Sequence, residues 1–364
     1  MAAALEAAKA LFDGGPTETW AIVICVAVHN LACGGAAFQR AVLEWGPLGS
    51  VGSAGVEESS FAVGLVLNAV DWFSDSLAVQ QLGARAMAAL CKDNAVAGRH
   101  VGAAGGARAL VRGMEAFPDH LGVQQHACEA LGNLAWRSRG NTASIVEEGG
   151  IVQLIGIMDS KPNEAGVQRR AATALGHAVT SDNEEKREEE GRGGLRSAVG
   201  GGGRGGGGQG GRGGRGGGGD GGGYVYRGGF GGGRGRGGGR GGGRSGPSSP
   251  LVPFLDIGLA VIGLGGEVSL ARALELHGSD VEVVKAVAFA VAALGIAAGA
   301  VQARAEEKRE AEEGEKGGGG IGQSMRRAVR ESGCVALLER AMEEWAGDEK
   351  VVRWANEGVM LARE

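Results

Sequence analysis

The chain has 364 residues, of which 43% are apolar, 4% are aromatic and 74 are glycines, and its formal net charge is −5. Residues 191–250 carry ten arginines against one acidic residue, so this segment is about +9 and the remainder is about −14, the difference between −5 and +9. The low aromatic content disfavours a β-sandwich. The apolar run at residues 20–28 is too short to span a membrane and lacks a preceding basic segment, so neither a membrane-spanning helix nor a signal peptide is supported.

An internal repeat organises residues 1–180. Residues 123–135 recur as residues 167–179 with Val, Gln, Ala, Leu and Gly in register, and Leu131 and Leu175 lie 44 residues apart. Leu90 precedes Leu131 by 41 residues in a similar block, and an Asn-Leu-Ala sequence occurs both at Asn30 and at Asn133. The apolar positions of the block fall on one face of a helix, which predicts a helix that packs against its counterparts.

A second block precedes each of these helices. Residues 148–158 are similar to residues 104–114, and Gly149-Gly150 predicts a sharp break between a short helix at 142–148 and another helix at 151–158. A Pro-containing turn then leads to the longer helix. One repeat is therefore a short helix, a glycine corner, a second helix and a longer third helix. Because a single repeat cannot bury its own apolar stripe, stability must come from stacking.

These residues resemble the armadillo repeat family, in a divergent subgroup. The resemblance rests on Asn141, Ile145, the sequence from Glu148 to Ile151, and Val167-Gln168. It implies an all-α fold, a right-handed α-solenoid. It also implies that the third helices line a concave groove, which in the family binds extended peptides or partner proteins.

Residues 181–250 interrupt the repeat with an acidic run followed by a Gly/Arg-rich stretch. Arg-Gly-Gly recurs there, with three aromatic residues in its middle, so the stretch resembles the RGG boxes of RNA-associated proteins. Residues 192–244 are therefore a candidate RNA-binding segment. The candidate RNA contacts are Arg212, Arg215, Tyr224, Tyr226, Phe230 and Arg240. The alternatives are a neutral, disordered low-complexity insertion and a gene-model artefact.

The repeat pattern resumes in residues 251–364. Residues 262–274 predict a glycine corner with a second helix, and residues 283–295 predict a third helix. A charged and Gly-rich second insertion is predicted at 303–323, followed by the last pair of helices. We therefore expect one solenoid of about six repeats with two insertions, in which residues 1–180 and 251–364 form the two parts.

Catalytic and metal-binding patterns are weak. The six histidines show no HxxxH spacing, and no nucleophile–base–acid group stands out. Cys25 and Cys128 fall on one repeat position beside small apolar residues, which is typical of buried thiols, and no cysteine belongs to a CxxC pair. We therefore expect no enzyme, cofactor, metal or small-molecule substrate, no membrane association, and a cytoplasmic or nuclear location.

The predicted groove carries the candidate protein contacts. In the family, asparagines on the third helices hold an extended ligand, and the matching residues here include Asn30 and Asn133 but also Lys92 and His177. Non-aromatic residues precede them by four positions, which argues against recognition of nuclear-import signals. The candidate groove contacts are Asn30, Lys92, Glu129, Asn133, Thr173 and His177. We expect a non-catalytic scaffold for an unidentified protein partner, with RNA binding as the alternative; Asn133 could equally be a solvated helix residue.

Overall fold

The computed structural model describes residues 17–44, 61–180, 257–311 and 320–363, with the backbone alone for residues 61 and 304–311. Sixteen helices and no strand occur in these ranges. The helices on both sides of residues 181–256 belong to one compact unit, whereas Arg192–Pro253 form a second unit that lies outside the described residues. The predicted all-α solenoid of three-helix repeats is confirmed.

The helices follow the order of the predicted repeat. The first repeat is represented by its third helix, α1 (Glu18–Ala32), and five repeats with all three helices follow. Their bounds are α2 (Ala36–Leu43), α3 (Phe61–Trp72) and α4 (Leu77–Cys91) in repeat 2; α5 (Ala95–Ala103), α6 (Gly106–Ala116) and α7 (Leu121–Ala135) in repeat 3; α8 (Arg139–Glu147), α9 (Gly150–Ser160) and α10 (165–180) in repeat 4; α11 (Ile257–Gly263), α12 (Gly266–His277) and α13 (Val281–Ala311) in repeat 5; and α14 (Gly320–Glu331), α15 (Cys334–Glu344) and α16 (Glu349–Arg363) in repeat 6.

The third helices share one starting geometry, which fixes the register between repeats. A side chain such as Ser76 or Asp280 accepts a hydrogen bond from the backbone N–H three residues later, which satisfies an otherwise unpaired donor of the first turn. In repeat 4 the Glu164 backbone carbonyl accepts this bond in place of a side chain, and the residue that donates it is buried in every repeat. The six equivalent residues are Trp20, Val79, Val123, Val167, Val283 and Val351.

The spacing of these equivalent residues corrects the number of insertions. Val79, Val123 and Val167 are each 44 residues apart. Trp20 and Val79 are 59 apart, Val167 and Val283 are 116 apart, and the last interval is 68, so they exceed the period by 15, 72 and 24 residues. There are thus three insertions and not two. The unexpected one falls at residues 45–60, between the first and second helices of repeat 2, where a degenerate repeat concealed it.

The edges of the 303–323 insertion also differ from the prediction. Helix α13 continues to Ala311, and α14 already begins at Gly320, so both neighbouring helices extend into the predicted insertion. Alanine and glutamate fill much of this stretch, and both are good helix formers. The first insertion, predicted at 181–250, lies outside the described residues, and the helices resume at Ile257.

Glycine corners separate the first two helices, as the Gly-Gly sequences predict. Gly105, Gly149, Gly265 and Gly333 all have φ between 77° and 90°. Such left-handed backbone costs a residue with a Cβ about 1–2 kcal/mol, so glycine is the preferred residue. Each corner glycine directly precedes the second helix of its repeat, which makes that helix start at the same place in repeats 3, 4, 5 and 6.

A buried glutamine clamps the second helix to the third in repeats 2, 3 and 4. Gln124 Nε2 donates to the carbonyl oxygens of Met114 at 2.8 Å and Phe117 at 2.9 Å, at the C-terminal end of α6. Gln80 and Gln168 make the same two bonds to residues ten and seven positions earlier. The glutamine thereby supplies a donor to one carbonyl at the helix end and a second hydrogen bond to another, which already accepts a backbone N–H in the turn. The Val-Gln pair is recognisable in the sequence, whereas this role of the glutamine is not.

Repeats 4 and 5 stack directly although 76 residues separate their described helices. A Cβ at Gly176 would lie 2.5 Å from the Phe289 ring and 3.3 Å from Ala290 Cα, so α10 and α13 are in close contact. Ser269 Oγ donates to Asp159 Oδ1 at 2.7 Å between α12 and α9. The long insertion therefore leaves the stack of repeats continuous at this junction.

Helix α13 contains the longest apolar stretch in the described ranges. Its residues Val281–Ala303 are long and apolar enough to cross a membrane by length and composition, but 72% of the most apolar part is buried inside the solenoid. The helices α11, α12, α14 and α16 all pack against α13. Burial on several sides explains its apolar composition, as for the central helix of a helical core.

Candidate binding groove

An open cleft of about 340 Å³ crosses the third helices of four consecutive repeats. Helices α7, α10, α13 and α16 each contribute side chains to it. The lining residues are Cys128, Glu129, Gly132, Asn133, Arg169, Arg170, Thr173, Glu282, Lys285, Ala286, Phe289, Lys350 and Trp354. The predicted contacts Glu129, Asn133 and Thr173 thus share one surface, which also spans the junction between repeats 4 and 5.

Three aromatic rings form a row along this surface. The His177 and Phe289 rings lie 5.4 Å apart edge to face, and the Phe289 and Trp354 rings lie 5.1 Å apart in the same arrangement. Arg353 lies 4.9 Å from the centre of the Trp354 ring. Edge-to-face pairs stabilise one another while leaving ring faces available for contact, so the row supplies a rigid apolar surface within the cleft.

Ion pairs hold several charged groups of the cleft in place. Arg170 Nε donates to Glu129 Oε2 at 3.0 Å, which joins α10 to α7. Lys285 Nζ lies 3.0 Å from Glu282 and 2.9 Å from Asp348, and the second contact joins α13 to α16. The hydrogen bonds to Asp348 and Glu282 raise the pKa of Lys285, and the bond from Lys285 lowers the pKa of Asp348. Lys285 and Asp348 therefore stay charged at neutral pH.

Two of the predicted groove contacts, Asn133 and His177, are hydrogen-bonded to the neighbouring repeat. Asn133 Nδ2 donates to the Ala88 carbonyl oxygen at 2.9 Å, and His177 Nδ1 lies 3.0 Å from the Gly132 carbonyl oxygen. Each bond spans 45 residues, from a third helix to the one before it. Asn133 and His177 therefore stabilise the stacking of repeats, while Asn30, which occupies the same position on α1, is exposed.

Lys92 does not occupy the repeat position that Asn133 and His177 share. Lys92 caps the C-terminal end of α4, thirteen residues after Val79, whereas Asn133 follows Val123 by ten. Ala89 is the true equivalent of Asn133 in repeat 2. The sequence alignment matched Leu90 with Leu131 and so slipped by three residues, close to one helical turn, which preserves the apolar pattern. The exposed Lys92 side chain is not part of the cleft.

The same slip concealed Phe289 and displaced Gly295. Gly132 and Gly176 follow Val123 and Val167, the buried valines near the start of their helices, by nine residues each. Gly295 follows the equivalent Val283 by twelve residues, and it contacts Leu361. In the corrected register Phe289 is equivalent to Glu129 and Thr173. An aromatic residue therefore does occupy this groove position in repeat 5, and alignment on the starting valine would have found it.

Two histidines, His29 on α1 and His126 on α7, have shifted pKa values. Burial lowers the pKa of His126, the positive charge of Arg170 lowers it further, and the carboxylate of Glu129 opposes both effects. Burial and the charge of Arg85 lower the pKa of His29, whose Nε2 lies 3.5 Å from the exposed Cys33 Sγ. In the described ranges no three His, Cys, Asp or Glu side chains are grouped so that they could hold a metal ion.

The buried cysteines belong to the core. Burial raises the pKa of Cys25, Cys91 and Cys128 to about 12, so these thiols stay protonated at neutral pH. Cys25 and Cys128 share one repeat position, as predicted, five residues after Trp20 and Val123.

The candidate RNA contacts lie outside the described residues. They are Arg212, Arg215, Tyr224, Tyr226, Phe230 and Arg240.

Known structures share this fold. An engineered protein matches with a TM-score of 0.58 and 18% identity over 100% of this chain and 97% of its own. One designed armadillo repeat protein matches with a TM-score of 0.55 and 14% identity over 96% of this chain and 95% of its own. Another, solved in complex with the peptide (KR)4, matches with a TM-score of 0.52 and 14% identity over 93% and 91%.

The sequence itself matches no protein-family profile and no curated protein. At these low identities the structural matches establish the fold and not the function. The chain has an armadillo-type fold, with three-helix repeats, glycine corners and stacked third helices.

Proposed function

We propose that this armadillo-type solenoid is a non-catalytic scaffold that binds a segment of a partner protein in the cleft lined by α7, α10, α13 and α16. The observation that carries the proposal is the open cleft itself, which crosses four repeats and contains the Phe289–Trp354 ring pair. Concave surfaces of stacked repeats are the usual binding surfaces of solenoid proteins.

The side chains of the cleft suit an extended peptide. Partly exposed rings supply apolar contact area at little conformational cost, and the ion pairs of Arg170 and Lys285 fix the surrounding polar groups before a ligand arrives. Thr173 lies between these features on α10. One structural neighbour of this chain, a designed protein, was solved with a peptide, which agrees with a peptide-binding use of the fold.

A blocking substitution tests this function. Thr173→Arg places a long side chain in the middle of the cleft, and we expect it to reduce at least fivefold the recovery of proteins that co-purify with the chain from its own cells. Ser144→Arg, on the exposed surface of α8, is the matched control and should leave recovery unchanged. Equal recovery with Thr173→Arg and wild type, when both have the same far-UV circular dichroism, would show that the cleft is not the binding surface.

RNA binding through residues 192–244 remains the second candidate function. The segregation of ten arginines against one acidic residue within 191–250 favours it, because clustered positive charge attracts phosphates. A chain that lacks 192–244 should lose salt-sensitive RNA binding while it retains the helical circular dichroism signal. RNA binding that survives the deletion would contradict this candidate.

A further inference from the structure

The charge of the cleft differs from that of the chain around it. The lining includes four basic residues, Arg169, Arg170, Lys285 and Lys350, but only two acidic residues, Glu129 and Glu282. Outside residues 191–250 the chain is about −14, as the charge difference given above shows. Most of that negative charge lies outside the described residues, so the feature that bears on ligands is the local excess of positive charge in the cleft, which attracts acidic groups.

Asp348 beside the cleft brings the carboxylates to three against four cations, and two of these cations have no carboxylate partner among the described residues. Arg170 is paired with Glu129, and Lys285 is paired with both Glu282 and Asp348. Arg169 and Lys350 make no side-chain ion pair in this part of the chain. Lys350 lies in the first turn of α16, where the helix dipole adds to the positive potential, and Arg169 follows the first turn of α10.

The rings and the two cations are arranged around one space. Phe289 on α13 and Trp354 on α16 form the apolar side, while Arg169 and Lys350 stand on the helices that flank α13. Guanidinium and ammonium groups recognise carboxylates through charge-assisted hydrogen bonds, and the rings accept aliphatic side chains. The cleft therefore combines an anion-binding and an apolar surface, which a backbone segment with carboxylate and aliphatic side chains can satisfy together.

From this arrangement we propose that the partner segment is an acidic, extended peptide, whose carboxylates pair with Arg169 and Lys350 and whose apolar side chains contact Phe289 and Trp354. The proposal rests on the proposed function and specifies its ligand. A basic peptide such as (KR)4, which one designed neighbour binds, would instead meet like charges in this cleft.

Photo-crosslinking with defined peptides tests the proposal on the full chain. The probes are the acidic peptide (DE)4 and the basic peptide (KR)4, each with a benzophenone group, and mass spectrometry locates the crosslinks. This readout separates the cleft from the arginines of 192–244, which also attract acidic peptides. We expect (DE)4 to crosslink to α13 and α16 near Phe289 and Trp354, with an apparent Kd at least tenfold lower than that of (KR)4.

Charge reversal provides the matched variants. Arg169→Glu with Lys350→Glu should weaken crosslinking of (DE)4 at the cleft at least tenfold. Arg99→Glu with Arg272→Glu alters the net charge equally at exposed positions of α5 and α12 and should change it less than twofold. Arg169→Gln with Lys350→Gln removes the two positive charges without introducing negative ones. We expect an intermediate loss of (DE)4 crosslinking at the cleft, which tests the proposal even if the charge reversal disturbs folding.

The outcomes separate the two proposals. Tighter cleft crosslinking by (KR)4, or loss with the control pair equal to that of the cleft pair, would overturn the acidic ligand but leave the scaffold function in place. A single-stranded RNA oligonucleotide that occupies the cleft more tightly than (DE)4 would also overturn it. If neither peptide crosslinks near Phe289 and Trp354, and Thr173→Arg changes nothing, the scaffold function fails as well.

Discussion

Repeats 2–4 and repeats 5–6 build the same stack with different polar contacts. In repeats 2–4 a buried glutamine clamps the end of each second helix, whereas valine stands at the equivalent positions 284 and 352. Two buried side-chain atoms lack a hydrogen-bond partner among the described residues, Glu267 Oε2 and Arg326 Nε, and both lie in repeats 5–6. Buried groups of this kind reduce stability unless they are paired.

The comparison separates what the stack requires from what it tolerates. Both regions keep the buried residue that starts the third helix, the left-handed glycine corner, and an alanine or glycine where third helices touch, as at Ala174 and Gly358. Close approach of the helices is therefore required. The clamp is not, because repeats 5 and 6 carry valine in place of the glutamine and still stack. Just after α12 the Trp345 indole donates to the Gly278 carbonyl oxygen at 3.0 Å, one residue beyond the position that the glutamine would reach.

Removal of a clamp should have the largest effect. Gln124→Val puts the valine of repeat 5 into repeat 3, where it removes the side-chain donor of the Met114 carbonyl and leaves the Phe117 carbonyl with the backbone N–H of His120 alone. We expect a loss of about 3 kcal/mol in the free energy of unfolding, measured by urea denaturation. Gln125→Val, on the next, partly exposed residue, is the control and should cost less than about 1 kcal/mol. Equal losses would show that the clamp contributes nothing.

Adding bulk between α10 and α13, where the two regions meet, should have the next largest effect on stability. Gly176→Ala adds a methyl group 2.5 Å from the Phe289 ring and 3.3 Å from Ala290 Cα. We expect a loss of about 2 kcal/mol and a changed fluorescence of Trp354, which contacts Phe289. Gly156→Ala, a helical position with open space around it, should be neutral or stabilising. Wild-type stability of Gly176→Ala would contradict the close contact of repeats 4 and 5.

A shared feature should give the same result in both regions. Gly149→Ala and Gly265→Ala each force a Cβ into left-handed backbone, with φ of 80° and 77°, without any steric contact. We expect each to cost about 1 kcal/mol, and the two to agree within experimental error. Thermal unfolding of both variants is the measurement. A clear difference would show that the corner is not equivalent in repeats 4 and 5.

A buried acid should give a small, pH-dependent effect in repeat 5. Burial raises the pKa of Glu267, so its folded pKa exceeds the unfolded value, and its ionisation destabilises the fold as pH rises through the folded pKa. Glu267→Gln should therefore be more stable than wild type by about 1 kcal/mol at pH 8, and this gain should disappear below the unfolded pKa. A pH-independent difference in urea denaturation would contradict this explanation.

The sequence predicted the repeat more reliably than the register. Gly149 and the Val-Gln sequence at Val167 identify a corner and a helix start, because few residues other than glycine adopt left-handed backbone. The ends of the helices were less predictable: α8 begins at Arg139, three residues earlier than expected, because Ser138 caps it. Capping depends on a backbone geometry that the sequence pattern alone does not specify.

The groove was predicted only in part. Glu129, Asn133 and Thr173 do line the cleft, but the ring pair and the ion pairs across repeats were missed. A shift of three residues along a helix nearly preserves its apolar face, so Leu90 and Gly295 gave plausible but slipped alignments. Contacts such as that of Lys285 with Asp348 also join residues across an insertion, where no fixed period relates them.

The most direct test of the account is to cut the chain between the two regions. A recognition sequence for a site-specific protease, placed within residues 200–243, allows cleavage of the folded protein. We predict that the two fragments stay associated in size-exclusion chromatography at micromolar concentration, because α9 and α10 pack directly on α12 and α13. Separation of the fragments after cleavage, with each still helical, would contradict a continuous stack and the cleft that crosses it.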